Sequence, residues 1–203
     1  MAEYFVNERG ESPYFFDEEA RARGEKIADT MHLMQGLPSK PHDYLYSQSH
    51  ALAREQEEAF GHSVRACYFY SGMADVAMET NDQELFSACK SIWKDIAFKK
   101  MYVTGGLGST SRNEGWTYPY DLPNETAYAE TCAAIAWIFF NHRMSQIELN
   151  SQYGDVMERA FYNGMLSGLS LDGEAFFYVN PLQVKSPDLF TNRNESTFKH
   201  YKR

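Results

Sequence analysis

The stretch Met101–Ala136, MYVTGGLGSTSRNEGWTYPYDLPNETAYAETCAAIA, decides how the rest of the chain is read. It opens with a short apolar run and a glycine-rich turn, Gly105-Gly106-Leu107-Gly108. A polar, aromatic loop with no helical period follows. It closes in Glu130-Thr131-Cys132, where an apolar helix begins. Two carboxylates, Glu114 and Glu130, and one thiol, Cys132, therefore fall in a loop braced by long amphipathic segments. Loops held on rigid scaffolds are where binding and catalytic groups concentrate.

Upstream, the helical pattern is strong from Glu55: Val64, Cys67, Tyr68, Ser71, Ala74 and Val76 fall near one face. Thr80-Asn81-Asp82 breaks it, and Leu85, Phe86, Cys89, Ile92, Trp93, Ile96 and Ala97 form the next amphipathic helix. The two make a helical hairpin with a short connection. Cys67 and Cys89 lie on apolar faces and read as small core residues. Downstream, Ala127–Ile147 reads as a third helix, apolar nearly all round from Ala133 to Phe140 and so deeply buried. A fourth spans Tyr153–Leu169, with Val156, Met157, Ala160, Phe161, Gly164 and Met165 inward. Asp172-Gly173 is a turn, and Phe176–Val179 a short β segment closed by Asn180-Pro181.

The ends carry less pattern. Glu3–Val6 reads as the last turn of a helix with Gly10 as its C-cap. Ser12–Asp17 is an aromatic loop, and the helix-prone run from Glu18 to Met34 stops at Gly36-Leu37-Pro38. His42–His50 is polar and aromatic and suits a pocket wall. From Lys185 onward the chain is polar and patternless. The expected architecture is all-α: hairpins joined by alternating short turns and long loops, as in part of an α/α toroid with a short β segment near the C-terminus. Residues 1–184 form the partial barrel and 185–203 an irregular tail. An α-solenoid is the alternative, but no fixed-length repeat is visible.

The 203 residues, 43% hydrophobic, are enough for one core, and the 15% aromatic content supplies large stiff surfaces for cores and sugar-like ligands. A net charge of −9 excludes a nucleic-acid binder, which needs a basic face for phosphates. No apolar run approaches the roughly 18 residues of a membrane span. MAEYFVNERG lacks the basic and apolar regions of a secretory signal. Three widely spaced cysteines suit a reduced, cytoplasmic setting, in which Asn124-Glu-Thr and Asn194-Glu-Ser are chance sequons.

Two carboxylates near a glycine-rich aromatic loop suit general acid–base work on a glycoside. Glu130 and Cys132 pair a hard oxygen with a soft sulfur, both able to bind zinc. Their i, i+2 spacing brings them together only where a helix is just starting. The same spacing equally suits a core thiol beside a first-turn acid favoured by the helix dipole. His62, in Gly61-His62-Ser63-Val64-Arg65, stands at a helix entry, where a histidine is usually structural.

The segments EQEEAFGHSVRACYFYSGMADVA (55–77), MYVTGGLGS (101–109), NEGWTYPYDLPNETAYAETC (113–132) and FYNGMLSGLSLDGEAFFYVNP (161–181) resemble glycoside hydrolase family 127, the β-L-arabinofuranosidases. Residues 4–10 and EARARGE (19–25) resemble it too, and the likeness weakens after Lys185. The resemblance implies an (α/α)6 barrel catalytic domain followed by β-sandwiches, and retaining hydrolysis of non-reducing terminal β-L-arabinofuranosides. It implies a cysteine nucleophile held as thiolate on zinc, with one glutamate and three cysteines as ligands. By matching motifs, Glu114 is the expected acid/base, Glu130 and Cys132 two of the four zinc ligands, and His62 and Tyr178 sugar-contacting residues. The thiolate would attack the anomeric carbon while Glu114 protonates the leaving oxygen; Glu114 would then activate water.

The departure from the family pattern is equally clear. The family's other zinc ligands, including the nucleophile, are a Cys-Cys pair, and this sequence holds only Cys67, Cys89 and Cys132. The chain therefore resembles an internal slice of the catalytic domain. Two function classes follow: a glycosidase complete only with further sequence or a complementing polypeptide, or an inactive remnant that at most binds carbohydrate. The expected partner is an arabinofuranoside-type sugar, and exposed helix faces would favour self-association.

Overall fold

The structure, a computed structural model, describes residues 43–183 and 199–202. The readings over 3–34 and over 184–198 lie outside the described residues. Four α-helices organise the rest: α1 Ser63–Thr80, α2 Gln83–Asp95, α3 Thr131–Ile147 and α4 Ser151–Arg159. The α2 helix continues as a π-helical turn over Ile96–Lys100. The α4 helix runs on through a π turn, Ala160–Met165, and a 3-10 turn, Leu166–Gly168.

Local chemistry sets the boundaries. Asn81 closes α1 in the left-handed region at φ 54°. The next residue, Asp82, caps α2 by accepting from the Leu85 N–H at 3.0 Å. Two residues thus suffice to reverse the chain into the expected hairpin. The α1 helix packs on α3 and on α2, and the three helices build a core of Tyr70, Met73, Leu85, Ile92, Trp93, Trp137, Phe140 and Met144, all nearly inaccessible. Trp93 and Trp137 stack at 6.2 Å between centroids, and the Trp93 indole N–H donates to Asn141 Oδ1 at 2.6 Å. Each fully buried large side chain contributes on the order of 2–3 kcal/mol. Cys67 and Cys89 belong to this core, as expected.

Several boundaries differ from expectation. Helix α1 begins at Ser63 rather than Glu55, because residues 56–61 are committed elsewhere. Gln56 Nε2 donates to the Gln48 carbonyl at 2.9 Å, Ala59 N donates to Asp95 Oδ2 at 2.9 Å, and Gly61 takes φ +77°. Helix α3 begins at Thr131 rather than Ala127, because Tyr128 N donates to Gly108 O at 3.0 Å and Ala129 bridges to Asn180. Tyr68 and Phe139 meet on an exposed face rather than inside, and Phe161 is also exposed.

The β segment is β1, Ala175–Tyr178. Strand β2, Lys199–Lys202, pairs antiparallel with it, Ala175 opposite Lys202 and Tyr178 opposite Lys199. This strand falls within the stretch 185–203 whose sequence reads as an irregular tail. Its order comes from the open edge of β1 rather than from its own pattern, which is why the sequence did not show it.

Candidate active site

The Glu114 backbone is anchored first. The residue takes φ 52°, and its carbonyl accepts from Ser63 N at 3.1 Å and from Ser63 Oγ at 3.0 Å. The 105–117 loop is thus pinned to the first residue of α1. Gly115 follows in a position only glycine can fill: a Cβ there would lie 1.7 Å from the Gly61 carbonyl oxygen. Ser109 N donates to Gly115 O at 2.8 Å, and Trp116 N donates to Gly61 O at 3.3 Å.

This contact sets Glu114 beside His62. His62 Nε2 lies 3.0 Å from Glu114 Oε2, and the Tyr128 hydroxyl donates to Oε1 at 3.2 Å. His62 Nδ1 accepts the Arg65 backbone N–H at 3.3 Å. An acceptor Nδ1 carries no proton in neutral imidazole, so Nε2 carries it and donates to Glu114. Burial lowers the His62 pKa from its ordinary value, more than the Glu114 carboxylate raises it. Tyr46 braces the group from outside. Its carbonyl accepts from Arg65 Nη2 at 2.6 Å, and its ring lies 4.3 Å beneath the Arg65 guanidinium. Tyr46, from the polar aromatic stretch before α1, so supports the site's edge.

Glu130 stands immediately before α3, yet its side chain makes no capping bond. It turns inward instead and is 2% exposed. Oε1 accepts from the Tyr178 hydroxyl. Oε2 is buried with no hydrogen-bond partner among the described residues. Burial raises the Glu130 pKa, and the Tyr178 hydrogen bond opposes that rise. The Cys132 thiol is pushed up to about 12 by burial first and the Glu130 charge second. Tyr128 and Tyr178 meet edge to face at 6.1 Å and so join the His62–Glu114 pair to the Tyr178–Glu130–Cys132 group. All five residues singled out in the sequence thus belong to one connected cluster.

Sequence reasoning missed Tyr128 and Arg65. Tyr128 was detectable: in the extended approach to α3, Tyr128 and Glu130 are two apart and share a side. Gly108 permits that approach at φ 108°, where a Cβ would meet the Tyr128 carbonyl at 2.5 Å.

An unsatisfied buried carboxylate oxygen beside a thiol is the donor chemistry zinc takes. The Glu130–Cys132 pair therefore fits half of a tetrahedral site. Among the described residues no cluster of three or more His, Cys, Asp or Glu could hold a metal. Nor does any helix among them have the length and apolarity to cross a membrane. A separate cavity of about 690 Å³ lies beyond β1, lined by Phe177, Asn180, Asn163 and Asn124, and includes none of the five site residues.

The family model described as the β-L-arabinofuranosidase GH127 catalytic domain matches residues 1–200. A non-reducing end β-L-arabinofuranosidase from Bifidobacterium longum is 38% identical over 193 residues, covering 95% of this chain and 28% of that protein. The crystal structure of a GH127 β-L-arabinofuranosidase from Geobacillus stearothermophilus T6 superposes with a TM-score of 0.79 at 46% identity, over 95% of this chain and 29% of that one. A second solved GH127 β-arabinofuranosidase gives a TM-score of 0.67 at 51% identity, over 68% of this chain and 22% of its own. The chain thus spans less than a third of the relatives it matches. Its helical hairpins are a segment of their all-α toroid.

Proposed function

Because the chain belongs to the GH127 β-L-arabinofuranosidase catalytic-domain family, we propose that it supplies the acid/base and half the metal site of a retaining β-L-arabinofuranosidase. The observation that carries this is the pairing at Glu114. One carboxylate oxygen takes the His62 N–H and the other the Tyr128 hydroxyl, and the side chain is still 39% exposed. A carboxyl group held at both oxygens yet open to solvent is oriented for proton transfer to a bound sugar.

Glu114 protonates the leaving glycosidic oxygen as the bond to the anomeric carbon breaks. As carboxylate it then takes a proton from the incoming water. His62, paired with Glu114, and Tyr178, paired with Glu130, would contact the sugar's hydroxyls. Glu130 and Cys132 would hold zinc. When bound, zinc makes a coordinated thiol a thiolate at neutral pH.

The nucleophile is the part this sequence does not show. Cys67 and Cys89 are core residues whose thiols are raised by burial, Cys89 to about 12, and Cys132 belongs to the metal pair. This favours a second reading for the 203 residues taken alone: they bind an arabinofuranoside without turning it over. Assay of an aryl β-L-arabinofuranoside with the 203-residue chain separates the two. Hydrolysis lost by about 10²-fold or more in Glu114→Gln supports a self-sufficient glycosidase. Sugar binding without hydrolysis supports the second reading, and neither binding nor hydrolysis overturns both.

A further inference from the structure

Resting on the acid/base role proposed above for Glu114, we propose that Tyr128 is its positioning residue and that Oε1, beside Tyr128, is the oxygen that carries the transferred proton. The two oxygens are not equivalent. Oε2 faces His62 Nε2 at 3.0 Å, and that nitrogen is committed as a donor because Nδ1 accepts from Arg65 N at 3.3 Å. A proton on Oε2 would point at an N–H and lose the hydrogen bond. Oε1 faces a hydroxyl at 3.2 Å, and a hydroxyl both donates and accepts by rotating about its C–O bond. Tyr128 donates to the carboxylate form and can turn to accept when Oε1 is protonated, so it serves both states of the group.

The surroundings keep that rotor in place. The Tyr128 backbone N–H is tied to Gly108 O at 3.0 Å, and its ring packs edge-on against Tyr178 at 6.1 Å. Ser63 holds the Glu114 backbone from the opposite side. Rotation of the carboxyl group that exchanges Oε1 and Oε2 would leave the His62 N–H facing a protonated oxygen. The arrangement therefore admits one orientation of the acid. When sugar binds, the Oε1–H turns from the Tyr128 hydroxyl to the leaving glycosidic oxygen, the Oε1–H bond breaks as the proton passes to that oxygen, and the Tyr128 O–H turns back to donate to the new carboxylate.

The test is Tyr128→Phe, which keeps the ring and removes only the hydroxyl. Two readouts are taken on the same protein. The first is the ¹³C resonance of the Glu114 side-chain carboxyl with backbone amide spectra, which needs no turnover. The expected result is a changed Glu114 signal with amides remote from the site unmoved; an unchanged Glu114 signal overturns the proposal. If Tyr128→Phe does not fold, 3-fluorotyrosine at position 128 retains the shape with a stronger donor, and the same resonance is read.

The second readout is hydrolysis of aryl β-L-arabinofuranosides across leaving groups of graded acidity. Poor leaving groups need protonation most, so the expected loss falls on kcat, about tenfold or more for the poorest and near none for the best, with KM little changed. An equal loss across the series means a structural role only and overturns the proposal. No hydrolysis by the unsubstituted protein counts against the glycosidase reading, and the carboxyl resonance still decides the role of Tyr128.

Discussion

Replacing Gly115 by alanine tests whether backbone packing brings Glu114 to His62. The added Cβ would sit 1.7 Å from the Gly61 carbonyl oxygen, 2.7 Å from the Gly61 carbonyl carbon and 3.1 Å from His62 Cα. Real Cβ contacts below 3.0 Å are essentially never seen, so the two strands must part by more than about 1 Å, and backbone cannot yield as a side-chain end would. That separation disrupts the hydrogen bonds Ser109 N to Gly115 O at 2.8 Å, Thr110 N to Gly115 O, Gly115 N to Thr110 O and Trp116 N to Gly61 O at 3.3 Å each. At about 1 kcal/mol per bond the cost is about 3–4 kcal/mol. A fall in Tm of roughly 10 °C follows for a chain of this size. Gly154→Ala is the control. Gly154 lies within α4 with nothing within 4 Å of the new Cβ, so the same chemical change there stabilises by about 0.5–1 kcal/mol. Denaturant unfolding of the two variants gives opposite signs if the reasoning holds. A Gly115→Ala loss below about 1 kcal/mol would refute it.

Further outcomes follow from other parts of the fold. Lys100 is buried with Nζ 2.6 Å from Asp95 Oδ2 and 2.8 Å from Ala59 O; Lys100→Met leaves Asp95 only the Ala59 N–H at 2.9 Å and the part-exposed Lys99 ammonium at 3.2 Å, and costs about 3 kcal/mol in denaturant unfolding, the low end for a broken buried pair. Burial lowers the His62 pKa from its ordinary value of 6.5. The unfolded chain therefore binds the extra proton first, and stability present above pH 6.5 is lost as pH falls below it. His62→Gln should flatten that part of a Tm-against-pH curve, leaving the contribution of His50, which burial also lowers. Zinc should raise the Tm of the protein through Glu130 and Cys132, and Cys132→Ser should abolish the rise; a rise unchanged in Cys132→Ser would place the metal elsewhere.

The helices were legible because their apolar periods are simple, and Thr80-Asn81-Asp82 carries both a left-handed closer and a capping aspartate. The candidate site residues were singled out through extended motifs rather than through spacing: Glu-Thr-Cys by itself fits a core thiol as well as a ligand. What could not be read is what long-range pairing decides. Helix α1 starts late because Asp95 and Lys100, some forty residues on, hold Ala59. Helix α3 starts late because Gly108 and Asn180 take Tyr128 and Ala129. Strand β2 exists through its partner β1. Tyr128 was legible only through its two-residue offset from Glu130, while its bond to Glu114 is set by the fold. The glycines at 108 and 115 signal a turn in sequence, while their reason, close approach of Tyr128 and Gly61, is three-dimensional.

The most direct test of the central claim is β-L-arabinofuranosidase activity of the protein as its native source produces it, beside the same protein carrying Glu114→Gln. The account predicts hydrolysis of an aryl β-L-arabinofuranoside with retention of anomeric configuration, reduced by about 10²–10⁴-fold in the variant. Undiminished hydrolysis by Glu114→Gln, or inversion of configuration, would contradict it.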